Sequence, residues 1–199
     1  MSAELLQALV VFAFTMSITP GPNNLMLMAS GANFGLLRTV PHALGVGSGF
    51  VIMAIVVGAG LSRVFEAFPA TQIALKVASV CFMLFLAYKI ATAAPPKDGE
   101  ARSTPISFIQ AVLFQWMNPK AIIMAVSAMS LYAPDGSFRS VVLVALVFGA
   151  VNLPSVSCWA LVGVQLRRIL SNPARMRVFN GVMAVLLLAS LYPVVTAEF

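Results

Sequence analysis

The chain is 199 residues long, 60% of its residues are hydrophobic and only 9% are charged, and its mean hydropathy is +0.97. Soluble domains keep about a quarter of their residues charged, so this composition predicts an integral membrane protein and leaves little chain for a separate catalytic domain. The net charge of +6 does not indicate a nucleic-acid partner, because the basic residues are placed as membrane topology requires.

Six apolar stretches follow one another, each near the roughly 20 residues that a transmembrane helix needs. They cover residues 4–29, 42–61, 73–93, 106–132, 141–162 and 179–195. The first is expected to remain as a span, because it opens with Glu4 and its apolar run is longer than that of a signal peptide. The predicted fold class is therefore an all-α integral membrane protein with six transmembrane helices in one domain, residues 1–199.

Basic residues divide unequally between the two sides that six spans create. One side receives Arg38, Lys89, Lys97, Arg102, Arg167, Arg168, Arg175 and Arg177, and the other receives Arg63 and Arg139, with Lys76 near it. Because cytoplasmic loops carry the excess of lysine and arginine, both termini are predicted to face away from the cytoplasm. The basic side is also expected to contact anionic membrane lipid.

The longest polar stretch, residues 95–104, is rich in proline and charge and predicts a cytoplasmic linker. It divides the chain into two halves of three spans, approximately 1–94 and 105–199. Pro20 and Pro119 interrupt the first span of each half at corresponding places. Because three is an odd number, the second half must enter the membrane from the opposite side, which predicts a 3+3 inverted-topology repeat with broken helices 1 and 4.

Small residues four apart occur in the second span of each half, as Gly45 with Gly49 and as Ala145 with Gly149. This spacing lets helix backbones approach closely. The pattern is compatible with packing inside one chain and with a homo-oligomer.

The first break is the segment Thr19-Pro20-Gly21-Pro22-Asn23-Asn24. Each proline costs about 3 kcal/mol or more inside a helix, and a bilayer tolerates the freed backbone groups only where they face protein or a water-filled cavity. A simple kink whose asparagines satisfy their own backbone is the alternative. Two prolines, a glycine and two asparagines in six residues favour a functional break, with the asparagines able to cap the resumed helix or to bind a ligand.

The second break is Gln115-Trp116-Met117-Asn118-Pro119-Lys120. Lys120 falls midway along the fourth stretch, where an unpaired ion costs at least about 2.5–3.5 kcal/mol. No Asp or Glu lies midway along any of the six stretches. Because Lys120 is near the positive end of the resumed helix, we expect it to attract an anion such as a substrate carboxylate, and to be a candidate for proton exchange. The alternative is a lysine that snorkels to the interface.

Weaker signals come from three other polar residues. Asn152, followed by Pro154, predicts a third and milder break that lines the same cavity or is a simple kink. Lys76 and His42 are expected at the membrane interface, although a lone histidine is also a candidate proton carrier.

Cys81 and Cys158 lie in the third and fifth stretches and belong to no CxxC or Cys/His cluster. They are expected to be small buried apolar residues, and no metal or other cofactor is expected. A membrane thiol-relay protein needs a reactive thiol at each break. Since the breaks contain none, that function is disfavoured.

Three segments carry a family resemblance: Thr19-Pro20-Gly21-Pro22-Asn23, Asn118-Pro119-Lys120-Ala121 and the run from Lys76 to Lys89. In these segments, and along nearly its whole length, the chain resembles the LysE/RhtB superfamily of amino-acid exporters. It looks most like the cysteine and O-acetylserine exporter branch, in segments that include Lys89-Ile90-Ala91-Thr92 and Cys158-Trp159-Ala160-Leu161. It departs from the family in the third span, where Ser79 and Ala87 replace common glycines.

The resemblance implies outward export of a small amino acid across a bacterial inner membrane, driven by an ion gradient. We therefore expect a proton-coupled secondary transporter that works by alternating access and is not an enzyme, with a passive amino-acid channel as the alternative. The candidate substrate-binding residues are Thr19, Pro20, Gly21, Pro22, Asn23, Asn24, Gln115, Asn118, Pro119, Lys120 and Asn152. In this hypothesis Lys120 binds the carboxylate, and Asn23, Asn24 and Asn118 orient the amine.

Overall fold

The computed structural model describes residues 1–61, 69–93, 104–170 and 172–192, and their regular secondary structure is helical. In chain order the helices are α1 (Ala3–Ile18), α2 (Pro22–Phe34), α3 (Leu36–Val56), α4 (Pro69–Ala91), α5 (Phe108–Met117), α6 (Pro119–Tyr132), α7 (Phe138–Ile169) and α8 (Pro173–Ala189). A π-helical turn, Val57–Leu61, extends α3. The all-α prediction is confirmed. Most of the predicted linker lies outside the described residues, as do Arg63, Lys97, Arg102 and the side chain of Lys76.

Two helical segments of the described chain are long and apolar enough to cross a bilayer alone, Leu36–Gly60 and Phe138–Ile169. The pair Ala3–Ile18 and Pro22–Phe34 makes a third if it is one span, with a bend of 58° at its break. Shorter apolar helices are Val77–Ala91, Phe108–Met117 and Pro119–Tyr132. These lengths are compatible with a membrane protein, and the six-span arrangement stays a prediction.

Helix α7 is the centre of the bundle, because it packs along α2, α3 and α1. Its crossing with α2 is very close. A Cβ atom at Gly31 would collide with the carbonyl oxygen of Ala160, and one at Gly163 would collide with the carbonyl oxygen of Met28. Two helix backbones are therefore in direct contact where α2 crosses α7.

Small residues of α3 make a second close crossing, with α5. A Cβ atom at Gly45 would lie 2.5 Å from the carbonyl oxygen of Phe108, and one at Gly49 would lie 2.7 Å from Cα of Val112. Gly149 of α7 faces the side chain of Val51. The small-residue pairs predicted from the sequence therefore pack within the chain.

Helices of the two halves exchange partners. The second part of the first span, α2, packs on α7 of the second half, and α5 of the second half packs on α3 of the first half. Helices α4 and α8 pack on each other. An inverted repeat would produce such reciprocity, and the repeat itself stays a prediction.

Two apolar cores stack along the bundle. The first contains Leu25 and Leu27 on α2, Ala43 and Val46 on α3, Ala111 and Phe114 on α5, and Val156 and Ala160 on α7. The second contains Leu9 and Ala13 on α1, Phe50 and Met53 on α3, Ala121 and Ala125 on α6, and Val144 and Phe148 on α7. Because α1 and α2 belong to opposite cores, as do α5 and α6, both breaks lie at the level between the cores.

One end of the bundle collects basic residues. The guanidinium of Arg167 at the end of α7 lies against Gly35, and Arg38 lies over the ring of Phe34, 5.8 Å from its centroid. A buried amide pair joins the same end: Asn33 Nδ2 donates to Asn180 Oδ1 (2.7 Å), and Asn180 Nδ2 donates to the carbonyl oxygen of Ala93 (2.9 Å). These contacts place the ends of α2, α4 and α7 and the middle of α8 together. That this end faces the cytoplasm stays a prediction.

Two sequence-based expectations about burial are wrong. Cys81 and Cys158 are exposed on the outside of the bundle, and His42 is completely buried. A membrane protein has apolar residues on its outer surface as well as in its core, so hydropathy does not show which way a cysteine points. His42 shares the inward face of α3 with Thr39 and Ala43, which are also buried.

Candidate functional site

The first break separates α1 from α2 with three residues of extended chain. α1 ends at Ile18 and α2 begins at Pro22, which occupies the first helical turn, where a missing N–H costs little. Gly21 is the N-cap residue and no side chain caps α2. The expectation that an asparagine caps this helix is therefore wrong, because Asn23 and Asn24 lie inside α2 and point elsewhere.

Side chains satisfy the carbonyl groups that the break leaves free at the end of α1. Asn24 Nδ2 donates to the carbonyl oxygens of Ser17 (2.9 Å) and Thr19 (2.8 Å). Trp159 Nε1 on α7 donates to the carbonyl oxygen of Ile18 (3.1 Å). These carbonyl groups therefore have protein donors as partners and need neither water nor lipid inside the bundle.

The second break is a single residue, Asn118, between α5 and α6. Its Oδ1 accepts a hydrogen bond from the backbone N–H of Lys120 (3.2 Å), and Pro119 occupies the first helical turn. The Asn118 side chain therefore caps α6, whereas no side chain caps α2 at the first break. Both breaks occur where the prolines predict them.

Lys120 joins the two breaks. Its Nζ donates to the carbonyl oxygen of Thr19 (2.6 Å), to Thr19 Oγ1 (2.8 Å) and to the carbonyl oxygen of Pro20 (3.3 Å). A Cβ atom at Gly21 would lie 2.8 Å from Cδ of Lys120. Glycine at this position therefore leaves room for the lysine stem.

These contacts correct the expected environment of Lys120. An ammonium group has three N–H donors, and three oxygen atoms of the first break are close enough to accept them. The charge also lies at the carbonyl end of α1, where the helix dipole is negative. In this conformation the ammonium group is stabilised by neutral oxygens and by a dipole, so it does not depend on an anion.

A pair of side-chain amides forms a second link between the breaks. Asn23 Nδ2 donates to Gln115 Oε1 (2.8 Å), and Gln115 Nε2 donates to Asn23 Oδ1 (3.3 Å) and to the carbonyl oxygen of Ala111 (2.9 Å). Gln115 is fully buried. The pair holds the start of α2 against the end of α5.

Asn152 reaches the same level from α7. Of the two alternatives expected near Pro154, a break does not form. Helix α7 runs without interruption from Phe138 to Ile169, and Pro154 lies inside it. Asn152 Nδ2 donates to Ser17 Oγ (2.9 Å). Its Oδ1 is buried and has no hydrogen-bond partner among the described residues. An acceptor left in this state is costly, about 1–3 kcal/mol, and suits a ligand donor.

The two breaks and α7 enclose a narrow cavity with about 310 Å³ of empty space, part of which is open to the outside. Of the predicted site residues, it is lined by Gly21, Pro22, Asn23, Asn24, Gln115, Asn118, Lys120 and Asn152. Thr19 and Pro20 contact Lys120 instead of lining the cavity, and Pro119 positions Lys120 at the start of α6. The cavity therefore contains one cation, several amides and one unsatisfied acceptor.

Other residues of the cavity wall were not predicted from the sequence. They are Met16, Ser17, Phe50, Ala121, Met124 and Val156. Met16 and Ser17 lie in the last turn of α1, just before the first break. This position in the sequence is the signal by which they could have been identified as wall residues. Phe50 and Val156 lie within uniformly apolar stretches, where nothing local distinguishes a cavity wall from a core residue.

The family model of the LysE type translocators matches residues 14–190, a region that includes both breaks and α7. The chain belongs to the LysE family. The resemblance noted from its motifs is thereby confirmed, and a LysE-type translocator is a multi-pass membrane transporter and not an enzyme.

Curated relatives of this LysE-family chain include cysteine/O-acetylserine efflux proteins of Escherichia coli K12 and Shigella sonnei. Each is 31% identical over 190 residues, which cover 94% of this chain and 95% of the relative. No solved structure matches the chain.

Proposed function

We propose that this LysE-family protein exports a small zwitterionic amino acid across a bacterial inner membrane, by alternating access and at the expense of the proton gradient. The observation that carries the proposal is the pairing of Lys120 with the unsatisfied Oδ1 of Asn152 in one cavity between the two breaks. A zwitterion needs a cation for its carboxylate and an acceptor for its ammonium group. Cysteine and O-acetylserine, named in the relatives, are the first candidates.

Lys120 changes partners in this mechanism. The substrate carboxylate replaces the carbonyl oxygens of Thr19 and Pro20 as the partner of the ammonium group, because a charged acceptor makes the stronger hydrogen bond. Since Lys120 ties the end of α1 to the start of α6, this exchange loosens one half of the chain from the other. A ligand shifts a conformational equilibrium only through a difference in its interactions with the two states, and this exchange provides such a difference.

Asn152 takes the role that was expected of Asn23, Asn24 and Asn118. Asn24 donates to backbone carbonyls, Asn23 pairs with Gln115, and Asn118 caps α6. Among the described residues of the cavity wall, Asn152 Oδ1 is the buried acceptor without a hydrogen-bond partner. We assign the substrate ammonium group to it.

The direct test is an efflux screen of the amino acids from loaded membrane vesicles, with and without an uncoupler. A proton-coupled exporter moves its substrate against a concentration gradient and loses this ability when the uncoupler is added. A passive channel equilibrates the substrate at the same rate with and without the uncoupler. Absence of flux for every amino acid would contradict both functions.

Replacement of Asn152 by alanine is expected to raise the KM for the exported amino acid about tenfold to a hundredfold, because a hydrogen bond to a charged group contributes about 1.5–3 kcal/mol. The measurement is the initial rate of efflux at varied internal concentration. A substrate analogue that carries hydrogen in place of the amino group should inhibit efflux by the parent only weakly. The Asn152→Ala variant should no longer discriminate between this analogue and the amino acid. Asn172→Ser, at the exposed N-cap of α8, is the control. Unchanged KM and unchanged discrimination in Asn152→Ala would contradict the assignment.

A further inference from the structure

His42 is a buried titratable group that the proposed substrate site does not use. It lies on α3, has no exposed surface, and neither ring nitrogen has a hydrogen-bond partner among the described residues. It is the only histidine of the chain. A neutral imidazole carries one donor and one acceptor, and leaving both unsatisfied costs about 1–3 kcal/mol for each group.

A second cavity lies at the basic end of the bundle, and His42 is not one of its wall residues. It has about 370 Å³ of empty space, part of it open to the outside, and its wall includes Ser30, Lys89 and Ile106. We call it the Lys89 cavity. Its wall is separate from that of the substrate cavity, with no described residue in common.

Helix α3 brings His42 next to the Lys89 cavity. One turn before His42, Thr39 Oγ1 is 2.9 Å from Oγ of Ser30. One turn after His42, Gly45 packs on the carbonyl oxygen of Phe108, two residues beyond Ile106. Because residues three apart share a helix face, the imidazole lies between two contacts that both lead to the wall of this cavity.

On α3 and on the described helices packed against it, the charged residues are all cations. The helices that pack on it are α2, α5, α6 and α7; α2 and α5 contain no charged residue. The charged residues on the others, and on α3 itself, are Lys120, Arg139, Arg167, Arg168 and Arg38. Lys89, which lines the cavity, is the group whose charge acts on the imidazole. No carboxylate of the described chain holds His42 in its charged form.

We propose that His42 binds and releases the coupling proton, and that it exchanges this proton with water in the Lys89 cavity. The inference rests on the proposed efflux function and adds the residue that couples it to the gradient. Imidazole is the side chain whose ordinary pKa lies between pH 5 and 8. The bundle described here closes tightly around His42, which has no exposed surface. When the helices around α3 separate on the side away from the Lys89 cavity, water from that side reaches a ring nitrogen and a proton is bound there.

Lys89 provides the reason for release. When the bundle closes again, the protonated imidazole is returned to an apolar surrounding beside another cation, and both effects oppose its charge. The proton therefore leaves as the bundle closes, while water from the Lys89 cavity still reaches the ring. The basic end is the predicted cytoplasmic end, so this direction is the one that a proton-driven exporter needs.

The test uses the full-length protein in lipid vesicles, with labelled cysteine kept reduced as the probe. Cysteine exchange at equal concentrations on both sides requires no net proton movement, whereas accumulation driven by a pH gradient does. His42→Gln should retain cysteine exchange. Its gradient-driven accumulation of cysteine should fall at least about tenfold, and the proton movement that a pH-sensitive dye reports in the parent should be absent. Ser48→Ala, also on α3, should behave as the parent, because its hydroxyl bonds only the carbonyl oxygen of Leu44 among described partners.

Accumulation by His42→Gln at the level of the parent would overturn the inference and leave the efflux function intact. Accumulation by the parent that does not respond to the pH gradient would overturn it as well. Absence of cysteine exchange by the parent would instead contradict cysteine as the substrate of the proposed function.

A spectroscopic measurement keeps the inference testable if His42→Gln fails to fold. Since the chain has one histidine, NMR of protein labelled in the imidazole ring reports His42 alone. The inference expects a protonated fraction that changes when cysteine is added at constant pH. An imidazole that stays neutral with and without cysteine between about pH 5 and pH 8 would overturn it.

Discussion

Lys120→Ala is expected to reduce amino-acid efflux about 30-fold or more. The substitution removes the cation that binds the substrate carboxylate and leaves the oxygens of Thr19 and Pro20 without their donor. A hydrogen bond to a charged group contributes about 1.5–3 kcal/mol, and 2 kcal/mol corresponds to a factor of about 30. The measurement is the initial efflux rate from loaded vesicles, normalised to the amount of protein in the membrane.

Two further variants show whether position or charge matters. Arg175→Ala removes an exposed cation at the start of α8 and should leave efflux unchanged. Lys120→Arg keeps the charge, but its broad guanidinium group does not match the space beside Gly21, so we expect partial activity. Efflux by Lys120→Ala at the rate of the parent would show that Lys120 is a structural residue and that the site assignment is wrong.

Gly163→Ala should destabilise the bundle by about 1–3 kcal/mol or more, the usual range for an atom forced into a close-packed contact. The added methyl group would collide with the carbonyl oxygen of Met28. That oxygen belongs to the backbone of α2, so relief requires α2 and α7 to separate, and their packing also holds the first break. A lower melting temperature in detergent and reduced abundance in the membrane are the expected results.

The chain contains a matched control for this substitution. Gly181 also lies inside a helix, α8, but a Cβ atom there would have no atom within 4 Å. Gly181→Ala should leave stability unchanged or raise it by up to about 1 kcal/mol, because alanine is the better helix former. Equal melting temperatures for the two variants would contradict the close crossing of α2 and α7.

Proline and hydropathy patterns were sufficient to predict the helical fold and the position of both breaks. The reason is that their causes are local: a proline lacks the backbone N–H and clashes with the preceding turn, which favours a helix end close to its own position. At Pro154 the patterns left a break and a simple kink open, and no break forms there. Inside α7, which is 32 residues long and packs on four other helices, tertiary contacts hold the helix together.

The partners of polar side chains were outside the reach of the sequence. Lys120 binds oxygens of Thr19 and Pro20, about a hundred residues away, and Asn23 pairs with Gln115. Asn152 Oδ1 is an unsatisfied acceptor because the described partner of this side chain, Ser17, accepts a hydrogen bond from its amide nitrogen and donates none to its oxygen. Each of these facts depends on which helix faces lie opposite one another, and no local pattern contains that information.

The sequence by itself determined that this protein is helical, apolar, broken at two places and a member of a transporter family. These properties follow from residue chemistry at single positions and short spacings. The tertiary structure decided that the two breaks meet through Lys120, that a polar layer separates two apolar cores, and that His42 is buried without a partner. An apolar helix in a membrane has no polar face to orient it, so only the packing of one helix against another decides which residues face inward.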